Sequence, residues 1–213
     1  MPEKMTKREK RSIEKQKKMQ KLKKIGICIL IVCIVVSISI YVYMTKPETK
    51  TEKHNRTATI ETNMGTIKIK LYEDKAPITT ANFIKYANDG FYNGTIFHRV
   101  MDNFMIQGGG FYPNLTQKTP TYSPISLEIN SELIHVDGAV AMARTSDPNS
   151  ATSQFYICDG PQSNLDSNYA VFGQVIEGMD VVRNIASVQT YTENGMDDVP
   201  VEDVIITGVT ISE

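Results

Sequence analysis

Residues 57–72 read TATIETNMGTIKIKLY, and this stretch decides the expected type of fold. Apolar side chains occupy every second position, first Ala58 and Ile60, then Ile67, Ile69 and Leu71. Such alternation is typical of β-strands that bury one face. The short connection that contains a glycine, at 63–65, predicts that the two strands form an antiparallel hairpin.

Similar short runs continue along the chain, interrupted by two helical patterns. One helix is predicted from Pro77, which suits a first helical turn, to Asn88, and a shorter one at Met179–Ala186. The other strands are predicted at Thr95–Val100, Phe104–Gln107, Gly138–Ala143, Gln154–Cys158, Val171–Val175 and about Val204–Ile211. Many short strands with two helices indicate a mainly β fold, a closed antiparallel barrel with helical caps.

The longest irregular stretch runs from Gly108 to Ile134 and contains three prolines. Loops of this length inside a compact domain are often functional. We therefore expect this segment to contribute to function.

The first 56 residues have a different character. Residues 1–24 carry eleven Lys or Arg against three Glu, and residues 25–44 read IGICILIVCIVVSISIYVYM without a charge. A helix of that length spans about 30 Å, the thickness of a membrane's hydrocarbon core. By the positive-inside rule the basic tail is cytoplasmic, and residues 57–213 form an extracytoplasmic domain on a polar linker at 45–56. The protein is therefore expected in the cell membrane, held by residues 25–44 as a single-pass signal anchor.

Three alternatives to the anchor remain open. Ser37 and Ser39 resemble the small residues of a signal-peptide cleavage site, although the apolar run is long for a signal peptide. A lipoprotein would need a small residue just before its cysteine, whereas Ile27 precedes Cys28. A buried helix of a soluble protein is seldom apolar on every face.

Composition excludes several classes of function. The formal net charge of -1 results from a basic tail and an acidic remainder, and an acidic domain does not favour nucleic acid as a partner. Three cysteines and three histidines without a cluster give no zinc pattern, and no cofactor is expected. Cys158, alone in its part of the chain, is expected to be an inert buried thiol.

Two segments carry a specific signature. Residues 97–109 read FHRVMDNFMIQGG, and residues 141–157 read AMARTSDPNSATSQFYI. Both resemble the cyclophilins, the family of peptidyl-prolyl cis/trans isomerases. The sequence of the second segment is most similar to bacterial members. NMGTIKIKLY at 63–72 and NYAVFGQVIEGMDVV at 168–182 also match. The resemblance covers about residues 57–211 and implies an eight-stranded antiparallel barrel with two capping helices and an active groove on its outside.

The resemblance also implies the site residues. Arg99 matches the catalytic arginine and Gln107 a groove glutamine that could hold it, while Gln154 could bond the substrate backbone. The walls of the proline pocket correspond to Phe104, Met105, Tyr156 and Leu165. Ala143 and Arg144 match an Ala-Asn pair whose main chain meets the substrate, and Tyr169 stands where many members have histidine.

Three details sharpen this expectation. Tyr156 replaces a more usual phenylalanine, so its hydroxyl needs a partner or water. Asn164 stands where several members have a tryptophan that contacts cyclosporin, which predicts weak inhibition by that compound. His98 precedes Arg99, but isomerisation transfers no proton, so we expect a structural, hydrogen-bonded histidine.

The expected function is a monomeric isomerase that accelerates the folding of exported proteins by binding their proline-containing segments. The alternative is a surface chaperone or scaffold that binds such segments without turnover. A hydrolase has no support, because no Ser/His/Asp or metal pattern stands out.

Overall fold

The computed structural model describes residues 55–212, together with Met19, Lys21 and Val36. Contacts divide the chain into Met1–Thr51 and Glu52–Glu213, and the description below concerns the second unit. The predicted tail, membrane helix and linker lie outside the described residues, apart from those three positions and residues 55–56. Among the described residues, no helix is long and apolar enough to cross a membrane.

Ten strands and two helices follow one another in residues 55–212. The strands are β1 (Thr57–Thr62), β2 (Gly65–Leu71), β3 (Thr95–Met101), β4 (Met105–Gly108), β5 (Ala139–Met142), β6 (Phe155–Cys158), β7 (Val171–Glu177), β8 (Thr190–Glu193), β9 (Met196–Pro200) and β10 (Ile205–Ser212). The helices are α1 (Pro77–Asn88) and α2 (Met179–Ala186), with a 3₁₀ turn at Ser163–Leu165.

Eight of these strands close into a barrel in the order β1-β10-β3-β4-β6-β5-β7-β2, and β2 pairs with β1 to complete it. Every pairing is antiparallel, as in the predicted hairpin, where Ile60 lies opposite Ile67. The expected eight-stranded barrel with two helices is therefore confirmed. Closure leaves none of these strands with an unpaired edge.

The barrel interior and the inner side of α1 form one apolar core. Ile60, Phe83, Ile106, Phe155 and Phe172 are all fully buried in it. The Phe83 ring packs edge-on against Phe155, with centroids 5.4 Å apart. Because side chains fill the interior, the inside of the barrel leaves no room for a ligand.

The long loop at 108–134 fastens α1 to the barrel. The Glu128 carboxylate accepts hydrogen bonds from the backbone N–H groups of Ile78 and Thr79, which open the helix and have no partner within it. Tyr122 packs against Tyr86 of α1 with ring centroids 5.1 Å apart. The loop therefore has a structural role. The sequence had predicted only a contribution to function.

The hairpin of β8 and β9 lies outside the barrel and was not predicted. Its turn is Asn194-Gly195, with φ of 51° and 78°, the left-handed values that a two-residue type I′ turn requires. The Asn-Gly pair was the available signal. The flanking residues are exposed on both faces of β8, so no apolar alternation accompanied it.

Candidate active site

A second apolar cluster lies on the outer face of the barrel. Strands β4, β5 and β6 bury every second residue inward, and the residues between them form this cluster with Val171. Its buried members on these three strands are Met105, Ala139, Ala141, Tyr156 and Cys158. Both faces of β5 and β6 are thus apolar, and the residues that cover the outer face, such as Phe104 and Leu165, are themselves only partly buried.

An open cleft lies over this cluster. Nine of the ten residues expected at the site line it, and the tenth, Gln154, is hydrogen-bonded to one of the nine. The lining residues are Arg99, Phe104, Met105, Gln107, Ala143, Arg144, Tyr156, Leu165 and Tyr169. Residues 70 positions apart in sequence therefore meet in one place, and the cleft has an apolar floor with polar groups at its margin.

A β-bulge turns Arg99 toward the cleft. In a regular strand Arg99 would lie on the same face as Phe97, which is fully buried in the barrel. The register between β3 and β4 shifts between these two residues, which leaves His98 as the extra residue. The bulge places Arg99 outward, with its side chain 44% exposed.

Two neighbours contact the Arg99 guanidinium. Its Nη2 lies 3.4 Å from the sulfur of Met101, and its Nε lies 3.5 Å from Oδ2 of Asp198 in β9. Asp198 was not among the residues expected at the site. It lies 99 positions along the chain, so only the fold brings the two charges together.

Gln107 has a different partner from the expected one. Its Nε2 donates to Oε1 of Gln154, the residue just before β6, at 2.9 Å. Gly110 makes room for Gln154, because a Cβ at position 110 would lie 2.5 Å from its Cγ. The two amides form one polar margin of the cleft, and Gln107 is opposite Arg99 in the β3–β4 pairing.

The hydroxyl of Tyr156 is satisfied by a buried histidine. His135 places Nε2 at 2.9 Å from this hydroxyl and Nδ1 at 2.7 Å from Oδ1 of Asp166. The same carboxylate oxygen accepts the backbone N–H of His135 at 2.8 Å, and the hydrogen bond from the ring lowers the pKa of Asp166. With the proton on Nδ1, Nε2 accepts from Tyr156, so the one donor of this hydroxyl is engaged by buried His135.

The opposite margin is formed by Tyr169 and Arg144. The Arg144 guanidinium lies over the Tyr169 ring, 4.7 Å from its centroid, and Nε donates to the carbonyl of Asn168 at 2.9 Å. Tyr169 meets Tyr156 edge-on at 5.8 Å. The Arg144 side chain is thus engaged with its own side of the cleft, while the neighbouring Ala143 N–H donates to the Gln154 carbonyl at 3.0 Å.

Two titratable residues near the cleft, His98 and Cys158, are buried and uncharged at neutral pH. Burial lowers the pKa of His98 to about 4, and the Arg99 charge adds to the effect. His98 packs on Phe111, as expected of a structural residue, but its Nδ1 has no hydrogen-bond partner among the described residues. Burial raises the pKa of Cys158 to about 12, which keeps it a neutral thiol.

The described residues contain no group of three or more His, Cys, Asp or Glu placed to hold a metal ion. The cleft instead combines an apolar floor, a guanidinium and two amides on the outside of a closed barrel with two helices. This combination is the architecture of a cyclophilin-type isomerase.

Comparison with known proteins leads to the same class. The family model described as cyclophilin type peptidyl-prolyl cis-trans isomerase/CLD matches residues 57–211. Among curated relatives, a peptidyl-prolyl cis-trans isomerase of Acinetobacter baylyi is 50% identical and aligns with 74% of this chain and 86% of its own. Peptidyl-prolyl cis-trans isomerase B of Escherichia coli is also 50% identical, over 73% of this chain and 99% of its own.

A solved structure agrees with these relatives. The cyclophilin-type isomerase of Cryptosporidium parvum, crystallised in the presence of the dipeptide Ala-Pro, superposes with a TM-score of 0.67 at 29% identity. The match covers 74% of this chain and 99% of the other. The chain belongs to the cyclophilin family, and it is a peptidyl-prolyl cis-trans isomerase.

Proposed function

We propose that Arg99 accelerates isomerisation by stabilising a twisted X–Pro amide. The barrier of about 18–20 kcal/mol exists because the nitrogen lone pair is delocalised into the carbonyl. Twisting the bond localises that pair on a pyramidal, basic nitrogen. A guanidinium keeps its charge at any physiological pH and presents five donors in a rigid fork. A donor that meets the nitrogen only in the twisted state lowers the barrier by differential binding.

The apolar floor of the cleft receives the proline ring in this proposal. Phe104 and Met105 follow Arg99 on the same β3–β4 hairpin, and Leu165 faces them from the 3₁₀ turn. Aromatic and thioether surfaces suit a compact apolar ring. The ring is thereby fixed while the carbonyl side of the amide turns.

Polar groups at the margins hold the rest of the peptide. The main chain of Ala143 and Arg144 pairs with the substrate backbone, and the Gln107–Gln154 pair supplies amide donors and acceptors opposite Arg99. Because the Arg144 side chain is engaged with Tyr169 and Asn168, replacing the family's asparagine leaves the main-chain contact possible.

The substrates proposed are proline-containing segments of exported proteins, and the enzyme acts as a membrane-anchored monomer. The support is the uncharged run at 25–44 behind a strongly basic tail, which together favour a single-pass anchor with the isomerase domain outside the cytoplasm. Uncatalysed X–Pro exchange takes about 10–100 s, slow enough to limit folding.

Protease added to intact cells should digest the domain, and the mass of the extracted protein should match the uncleaved chain. A soluble, protected or shortened protein would contradict the anchor.

Weak binding of cyclosporin is part of the same proposal. Asn164 is exposed in the 3₁₀ turn beside Leu165, where it offers neither the area nor the indole donor of a tryptophan. Titration of isomerase activity with cyclosporin should give no nanomolar inhibition.

The observation that carries the catalytic proposal is the outward guanidinium beside the apolar cleft. Arg99→Ala should lower kcat/KM by about 100-fold or more, as when one transition-state donor is removed elsewhere. Its unfolding free energy should change little, because the side chain is half-exposed. Activity retained in Arg99→Ala would overturn the mechanism, and a cellular phenotype retained without activity would favour the alternative of a binding chaperone or scaffold.

A further inference from the structure

We propose that Asp198 is a positioning residue that holds the Arg99 guanidinium in its catalytic orientation. The inference rests on the catalytic role proposed for Arg99. Oδ2 of Asp198 lies 3.5 Å from Nε of Arg99, and no other carboxylate among the described residues is ion-paired with this arginine.

The contact leaves the N–H groups of the guanidinium with two kinds of partner, protein atoms and the substrate. Asp198 faces Nε, and the sulfur of Met101 lies 3.4 Å from Nη2. The remaining N–H groups of the two Nη atoms are left for the substrate, since a guanidinium has five donors in one plane. A carboxylate beside Nε therefore restricts the guanidinium on one side without occupying the outer end of the fork.

Orientation matters here because the side chain is long and half-exposed. Arg99 is 44% exposed and projects from the strand into a cleft that is open to solvent. A free arginine would lose much rotamer freedom on meeting the twisted amide. A partner that restricts those rotamers beforehand removes part of that loss from the catalytic step.

The hairpin of β8 and β9 holds Asp198 in place. β9 packs against β3, the strand that carries Arg99, and Val199 beside Asp198 is buried. Asp198 itself has φ of 62°, a left-handed conformation that is uncommon for residues other than glycine and tolerated by Asp and Asn. Asp198 lies where the register between β8 and β9 shifts, so the fold of the hairpin sets this backbone conformation.

The adjacent Asp197 provides a matched control. Its Oδ1 accepts a hydrogen bond from Thr192 Oγ1 at 2.9 Å within the hairpin, and it forms no ion pair with Arg99. Asp198→Asn and Asp197→Asn remove the same charge from neighbouring positions. Asparagine also tolerates the left-handed backbone at 198.

The experiment measures kcat and KM separately on a short peptide containing Ala-Pro, with the full-length chain carrying Asp198→Asn, Asp197→Asn, Arg99→Lys or Arg99→Lys with Asp198→Asn. We expect Asp198→Asn to lower kcat by about three- to tenfold with little change in KM, because orientation acts in the transition state. Asp197→Asn should stay within about twofold of the unmodified enzyme. Thermal unfolding of each variant establishes that it is folded.

The Arg99→Lys background separates positioning from other effects. Lysine keeps a positive charge but lacks the Nε that Asp198 contacts, so adding Asp198→Asn there should lower kcat no further. An equal loss in both backgrounds would assign the effect to the hairpin and overturn the inference. Equal effects of Asp198→Asn and Asp197→Asn, or a faster Asp198→Asn enzyme, would also overturn it. Full activity of Arg99→Lys would instead refute the proposed role of the arginine fork itself.

Discussion

The two faces of strands β4, β5 and β6 are built from alternate residues and serve different purposes. Inward, Ile106, Val140 and Phe155 are fully buried in a core of aromatic and aliphatic rings. Outward, β5 presents Ala139 and Ala141, whose small side chains leave room above the sheet. The cleft therefore exists because bulk is placed on one face only. β5 and β6 look uniformly apolar in sequence, yet one face packs the core and the other underlies the cleft.

The largest effect is expected from the inner face. Phe155→Ala should lower the free energy of unfolding by about 3–5 kcal/mol, because it leaves a cavity among Phe83, Tyr92 and Phe97. Urea unfolding measures this loss. The folded fraction should keep near-normal KM, because the ring does not line the cleft.

Phe104→Ala on the outer face is the matched control, with the same chemical change on a half-buried ring. It should cost less than half as much stability and should raise KM, since Phe104 lines the cleft. If Phe155→Ala folds too poorly for kinetics, Phe155→Leu keeps the comparison measurable. Similar stability losses for the two alanine variants would show that the faces do not differ as described.

The inner face was also the more predictable one. Alternation at residues such as Ile67 and Ile69 predicted the strands and hence the barrel, because one buried face imposes a period of two. The cleft-lining residues were predicted through their motifs. Their supports were not: His135 is 21 residues from Tyr156, and Asp198 is 99 from Arg99. Such contacts depend on how distant segments of the folded chain pack together, and no local pattern encodes them.

A smaller effect is expected at His98, the bulge residue of β3 that precedes Arg99. Its pKa of about 4 in the folded state lies below the usual 6.5, so between these pH values the unfolded chain binds a proton that the folded chain does not. Stability is therefore complete above pH 6.5 and is lost as the pH falls. The loss due to His98 should reach about 3 kcal/mol near pH 4.

His98→Asn removes the titrating group, so the difference in unfolding free energy between this variant and the unmodified protein isolates the contribution of His98. Denaturant unfolding at several pH values from 4 to 7.5 should show the difference changing below pH 6.5 and staying constant above it. A difference that does not vary with pH would mean that His98 is not protonated differently in the folded and unfolded states. The bulge would then turn Arg99 outward without a cost at low pH.

The smallest effect tests whether the outer face is only a binding surface. Tyr156→Phe keeps the ring that lines the cleft but removes the hydroxyl that donates to buried His135. An unsatisfied buried acceptor costs about 1–3 kcal/mol, so stability should fall by that amount. kcat/KM should stay within about twofold, because the hydroxyl is already hydrogen-bonded to buried His135.

A second change distinguishes the lost partner from lost packing. Adding His135→Leu to Tyr156→Phe removes both partners and should restore most of the stability, since Asp166 is close enough to solvent to be hydrated. The two changes should therefore be strongly non-additive. If the double variant is less stable than either single one, packing of the His135 ring on Tyr156 at 6.0 Å is the larger contribution. If Tyr156→Phe alone lowers kcat/KM tenfold, the hydroxyl acts on the substrate. Tyr156 would then serve binding alone, like the other residues that line the cleft.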